Sequence, residues 1–198
     1  MSGLPDPQEQ PPMKIFIDQG HNPQNPNAGA EANGVREQDV NYIVGVELAA
    51  MLESNPFFEV RLSRNSPTEQ LGTSNTSSLA ARMDAANSWG ADYFISLHCN
   101  SSSDPSVSGS EVYVYSETSA AWPLGEDILT GLNRATGLPN RGVRISPGLY
   151  VLRHTMMPAL LVEMGYLTNT TDAELLSTDP RSFARGIYNG MLMYFQLV

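Results

Sequence analysis

The sequence predicts an α/β fold, a single three-layer domain whose mostly parallel, mixed central sheet is covered by helices on both faces. Three observations predict it. Short continuous apolar runs such as Ile15-Phe16-Ile17, Tyr93 to Leu97 and Ala159 to Val162 have the composition of strands buried on both faces. Between them lie segments whose apolar residues recur three and four apart, the period of an amphipathic helix. The length of 198 residues also matches about one domain.

The elements follow in order. Residues 1–12 hold Pro5, Pro7, Pro11 and Pro12 and read as a flexible Pro-rich leader, leaving 13–198 as the folded domain. Lys14 to Asp18 is a strand that empties at Gly20 into an Asn/Pro/Gly-rich loop, His21 to Arg36. From Asp39, Val40, Ile43, Val44, Leu48, Met51 and Leu52 mark a helix to about Ser54. Glu59 to Ser63 is a strand, Leu79 to Trp89 an Ala-rich helix closed by Gly90, and Tyr93 to Leu97 a buried strand. Glu111 to Tyr115 alternates like an edge strand, Gly125 to Thr136 is a helix stopped by Gly137, and Ala159 to Val162 is the last strand. Thr171 and Glu174 have capping-box spacing, and Asp179-Pro180 is an N-cap with proline in the first turn. Phe183, Ile187, Met191 and Tyr194 stripe the final helix.

Composition narrows the function. The net charge of −10 argues against tracking nucleic-acid phosphates or an anionic membrane, while 41% hydrophobic residues can build a core. No apolar run approaches the roughly 18 residues of a membrane span. The first residues lack the basic-then-apolar pattern of a signal peptide. One cysteine, Cys99, cannot form an intrachain disulfide.

The chemistry collects at strand ends. The first strand leads to His21, the Tyr93 to Leu97 strand to His98 and the last strand to Glu163, while Glu37 precedes the first helix. In open α/β sheets, ligands sit beyond the carboxyl ends of the strands, so these four side chains converge on one rim. Two imidazoles and two carboxylates are the components of a hydrolytic zinc site, with two imidazoles and one carboxylate as ligands, an open position for water and a second carboxylate as proton carrier. Which glutamate takes which role is open on chemistry alone. Gly20 and Gly165 are expected to let the backbone turn at the strand ends.

Four stretches then carry a resemblance: Asp18-Gln19-Gly20-His21; Asn33 to Asn41, NGVREQDVN; Ala91 to Asn100, ADYFISLHCN; and Leu161 to Asn169, LVEMGYLTN. In this order they resemble the zinc-dependent N-acetylmuramoyl-L-alanine amidases of the Amidase_3 type, over residues 13–198, with Arg141-Gly142-Val143, Tyr150 to Arg153 and Pro158-Ala159 adding to the likeness. The resemblance implies that His21, Glu37 and His98 bind one Zn2+ and that Glu163 is the catalytic carboxylate. It implies cleavage of the amide joining the lactyl group of N-acetylmuramic acid to L-alanine of the peptidoglycan stem. The expected site of action is outside the cytoplasm or at the cell wall, as a monomer acting on peptidoglycan or muropeptides without membrane insertion. Gln19 stands where the family more often has proline, Asn22 where it more often has glycine, and Cys99 where it usually has a small residue.

Other polar residues have two readings. Asn100 is a candidate for hydrogen bonding to substrate or for shaping a turn, and Arg141 and Arg144 are candidates to face stem-peptide carboxylates. Arg64 and Arg82 read as structural ties, His154 as an exposed or supporting residue, and Cys99 as a small buried hydrophobe. The competing functions are a zinc peptidase or carboxypeptidase acting on the stem, and a non-catalytic wall-binding module. The presence of all four polar groups weighs against the second.

Overall fold

The computed structural model describes residues 11–197, so residues 1–10 of the expected leader lie outside the described residues. The chain runs β1 (Met13–Gln19), β2 (Glu31–Ala32), β3 (Val35–Arg36), α1 (Glu37–Glu53), β4 (Phe58–Leu62), α2 (Asn75–Trp89) and β5 (Tyr93–Asn100). It continues through β6 (Ser110–Val114), α3 (Ala121–Thr136), β7 (Asn140–Ile145), α4 (Tyr150–His154), β8 (Ala159–Tyr166), α5 (Thr170–Thr178) and α6 (Pro180–Tyr194). Six strands form one sheet in the order β4-β1-β5-β8-β6-β7. Strands β4, β1, β5 and β8 are parallel neighbours, and β6 runs antiparallel to β8 and parallel to β7. The carboxyl ends of β1, β5 and β8 therefore meet the beginning of β6 along one rim.

The two faces of the sheet separate by residue parity. Ile15, Ile17, Ile95, Leu97, Leu160 and Val162 join the larger core with residues of α1, α3, α5 and α6. Phe16, Phe94, Ala159 and Leu161 face the opposite way and pack with Met83 and Ala86 of α2 and Val151 and Leu152 of α4. Asp18, His98 and Glu163 each lie an even number of residues further along this second set. They therefore emerge on the face covered by α2 and α4, beyond the apolar packing.

Several helix ends obey the expected chemistry. Gly90 and Gly137 close α2 and α3 with φ of 66° and 74°, the left-handed region that glycine enters without a Cβ clash. Asp179 caps α6 by accepting from the Ser182 N–H, with Pro180 in the first turn. Other expectations are corrected. The cap of α5 is Asn169, which accepts from Thr171 and Asp172 N–H, so the Thr171/Glu174 pair lies inside the helix. Helix α2 starts earlier than Leu79 because Ser74 and Ser77 form a reciprocal capping box.

Strand β6 is not an edge. It lies between β8 and β7, and the edge is β7, whose sequence NRGVRI has too little apolar alternation to announce a strand. The loop after His21 contains the β2/β3 hairpin, turned by Asn33 and Gly34 at φ of 49° and 74°. The Asn-Gly pair was its sequence signal.

Candidate active site

The site begins with a buried tie beneath β1. Arg82 of α2 and Asp18 are both 1% exposed and pair at 2.6 Å, with Ser96 Oγ donating to the second Asp18 oxygen at 2.7 Å. Burial alone would raise the Asp18 carboxyl, but Arg82 and the Ser96 hydrogen bond outweigh it and hold it below the usual carboxylate value. The same guanidinium donates to the Gln19 and His21 carbonyls, each at 2.6 Å. It thereby fixes the backbone on both sides of Gly20.

Gly20 is required for a reason other than the expected turn. Its φ is not among the positive values. A Cβ there would collide with the His98 ring and approach the Leu97 carbonyl to 2.6 Å, so glycine lets β1 pass against β5. His21 carries the left-handed conformation instead, with φ of 68°. Gly165 likewise has no positive φ, so no sharp turn depends on it, and an added Cβ would press on the Leu176 side chain at 3.3 Å.

His21, Glu37 and His98 come together at the rim. One potential ligand atom from each lies within 4.8 Å of the others. The imidazole rings pack edge to face with centroids 4.8 Å apart. Glu37 Oε1 lies 3.1 Å from His21 Nε2 and 2.9 Å from His98 Nδ1, and it also accepts from the Cys99 N–H at 3.1 Å. Glu37 Oε2 accepts from the Ala30 N–H at 2.9 Å, so loop and strand aim the carboxylate. Burial would raise this carboxyl, but hydrogen bonds with His21 and His98 hold it far below its ordinary value. Two nitrogens and one ionised oxygen suit a borderline-soft divalent cation such as Zn2+. His21 Nδ1, buried and without a hydrogen-bond partner among the described residues, adds an uncommitted donor to the set.

Glu163 stands on the adjoining strand, paired in register with His98 on one side and Glu111 on the other. It is not part of the three-donor cluster. Its Oε2 is buried and has no hydrogen-bond partner among the described residues. Burial, then the Glu37 and Glu111 carboxylates, push its pKa up to about 8. A cluster able to hold a cation, flanked by an uncommitted carboxyl, is an arrangement suited to hydrolysis.

Comparison with known proteins supplies the family. Residues 15–193 match the Amidase_3 family, described as N-acetylmuramoyl-L-alanine amidase. The chain belongs to this family. Over 188 residues it is 37% identical to N-acetylmuramoyl-L-alanine amidase CwlM of Bacillus licheniformis, covering 93% of this chain and 70% of the relative. The sporulation-specific N-acetylmuramoyl-L-alanine amidase of Bacillus subtilis is 34% identical over 188 residues, with 93% and 69% covered. The solved catalytic domain of CwlV, an N-acetylmuramoyl-L-alanine amidase from Bacillus (Paenibacillus) polymyxa var. colistinus, superposes with a TM-score of 0.81 at 29% identity, covering 94% of this chain and 99% of that one. The expected α/β architecture and the resemblance are both borne out.

This Amidase_3 domain accommodates its unusual residues through hydrogen bonds. The Gln19 N–H donates to Ser63 Oγ at 2.9 Å, a bond that proline could not make, and its side-chain oxygen accepts from the Arg64 N–H at 2.9 Å. Asn22 donates to the Pro26 and Leu71 carbonyls at 2.8 and 2.9 Å, tying the loop after His21 to the segment before α2. Cys99 is buried, with Sγ 3.6 Å from Asn41 Oδ1, and burial first, then the carboxylates Glu37 and Glu163, raise its thiol well above its ordinary value. His154 is exposed at the end of α4, stacked on Tyr150 and outside the donor cluster. Asn100 accepts from the Ser101 N–H at 2.8 Å, a local loop contact.

Arg141 and Arg144 converge on Glu111, at 2.7 and 3.3 Å from Nε. Sequence reasoning missed Glu111, which is 2% exposed and also accepts from the Tyr113 and Tyr166 hydroxyls. Burial would raise its carboxyl, but the two hydroxyls and two guanidiniums hold it below the ordinary value. Its available signal was an acidic residue in the EVYVY strand pattern, the same signature that marks Glu163 in LLVEM.

Proposed function

We propose that this domain hydrolyses the amide between the lactyl group of N-acetylmuramic acid and the L-alanine of the peptidoglycan stem, using one Zn2+ held by His21, Glu37 and His98 and Glu163 as proton carrier. The observation that carries the proposal is the His21/Glu37/His98 cluster, with donor atoms within 4.8 Å, beside a carboxyl paired in register with His98. When bound, a zinc ion supplies Lewis-acid polarisation of the scissile carbonyl, makes the attacking water acidic near neutral pH, and favours ionised Glu163 against the effect of burial.

The chain's own groups do the rest. Glu163 Oε2 is free of other hydrogen bonds and can take the proton of the attacking water. The same oxygen can return that proton to the departing L-alanine nitrogen. Ala30 and Cys99 N–H groups hold Glu37 in place, and the Arg82 fork holds the His21 backbone, so neither ligand has to reorganise during turnover. A peptidoglycan substrate supports a site of action outside the cytoplasm. No helix among the described residues is long and apolar enough to cross a membrane.

Mass analysis of digested muropeptides tests the reaction. The expected products are a stem beginning with free L-alanine and a muramic acid with a free lactyl carboxylate. Cuts only within the stem would replace this reading with a peptidase. Zinc content tests the roles: His21→Ala, His98→Ala and Glu37→Ala should each empty the site, while Glu163→Ala should retain zinc and lose turnover by a factor of about 100 or more. An active Glu163→Ala domain, or one that loses its metal, would reverse the assignment.

A further inference from the structure

Glu111 meets both arginines at Nε. Arg141 Nε donates to Oε1 at 2.7 Å and Arg144 Nε lies 3.3 Å from Oε2, while the tyrosine hydroxyls of Tyr113 and Tyr166 fill the carboxylate's remaining positions. Arg141 is further restrained, with Nη1 donating to the Ser108 carbonyl at 3.4 Å and its guanidinium 5.5 Å from the centre of the Tyr166 ring. Arg144 has no such second tie among the described residues. Its side chain is 47% exposed, and neither arginine pairs with Glu163.

Two cations thus share one buried carboxylate, giving this cluster a net positive charge of one within a chain of net charge −10. Its place is set by the sheet. Glu111 lies opposite Glu163 in the β6/β8 ladder, and Arg144 lies beside Tyr113 in the β6/β7 ladder, two residues along from Glu111. Side chains of cross-strand partners, and of residues two apart, share a face. The cluster therefore borders the proposed reaction centre on the same face.

We propose that Arg144 is a specificity residue, held at Nε by the positioning residue Glu111 so that its Nη1/Nη2 pair grips a free carboxylate on the stem peptide. The inference rests on the amidase reading and names a chemical feature of its substrate. A planar guanidinium presenting two parallel donors matches a carboxylate bidentately and makes a weaker, neutral contact with a carboxamide. Arg141 offsets the Glu111 charge, so the carboxylate that holds Arg144 does not cancel its attraction for the ligand.

The test compares two soluble muramyl-L-alanyl peptides that differ only in a free α-carboxylate or an α-carboxamide on the second stem residue. For the carboxylate substrate, Arg144→Ala should raise KM about tenfold or more with kcat little changed, and Arg144→Lys should recover part of the loss. The carboxamide substrate should show no comparable change. Glu111→Gln should reduce the same discrimination by releasing Arg144, and the half-exposed Arg144 variants carry the test if that buried substitution fails to fold. Calorimetric binding of both peptides to Glu163→Ala, with and without Arg144→Ala, gives a readout independent of turnover. Loss of the carboxylate preference in the doubly substituted chain supports the inference. Equal affinity for both peptides with Arg144 intact overturns it. Absence of cleavage together with preserved, Arg144-dependent binding would instead overturn the amidase reading and leave the carboxylate grip standing.

Discussion

Asp18 and Arg82 show how a single residue pair beneath the site links stability to chemistry. Each is 1% exposed, and removing one charge leaves the other buried without its partner. Asp18→Asn should therefore cost about 3–5 kcal/mol at neutral pH. The sign of its pH dependence follows from a carboxyl held below its ordinary value in the folded state. Its stabilisation is complete above the unfolded pKa of about 3.9 and is lost as pH falls through the lower folded value. Urea unfolding of wild type and Asp18→Asn should give a constant difference above about pH 5 that narrows below about pH 4. A difference unchanged down to about pH 2 would remove Asp18 as the titrating partner. The sequence exposed His21, Glu37, His98 and Glu163 because each follows or precedes a recognisable element. It did not reveal why Gly20 must be glycine, since the atoms that a Cβ would strike belong to Leu97 and His98, far away in the chain.

Glycine also decides how two elements meet. Helices α3 and α6 cross where a Cβ on Gly131 would strike the Gly186 carbonyl and come within 2.9 Å of the Gly190 nitrogen. Backbone cannot swing aside as a flexible side chain can, so Gly131→Ala should destabilise the domain by about 1–3 kcal/mol through overpacking. Gly137 offers a contrast, because an added Cβ meets nothing within 4 Å and the cost arises from φ of 74°. Asn, which tolerates the left-handed region, should recover most of the loss seen with Gly137→Ala. At position 131 it should do worse than alanine, and thermal unfolding of the four variants checks the reversal. An Asn that recovers stability at 131 would contradict the close crossing. The same contrast explains which elements were legible. Helix α6 was visible in its apolar stripe, whereas β7 is specified by pairing to β6 rather than by its own exposed, arginine-bearing sequence. The sheet therefore ends at β7, one strand beyond the alternating Glu111 to Tyr115 pattern.

At the scale of the whole molecule, the sequence carried the layer architecture because strands buried on both faces must be continuously apolar, and the rim followed from that architecture. The pairing of Glu111 with two arginines was not legible, since it depends on β6 lying antiparallel beside β8. This arrangement also sharpens the meaning of the net charge of −10. Positive groups at the site act locally, within contact distance of a ligand, while the acidic excess acts over the screening length. That length is about 30 Å at 0.01 M salt and about 8 Å at 0.15 M. A wall fragment bearing anionic polymers should therefore repel the domain at low ionic strength even when its stem peptides fit the site. Sedimentation with such fragments should show retention rising as salt increases toward about 0.15 M, whereas fragments stripped of anionic polymers should show much weaker dependence. Tight low-salt retention that falls as salt is added would mean that a cationic surface, rather than the local site, governs attachment.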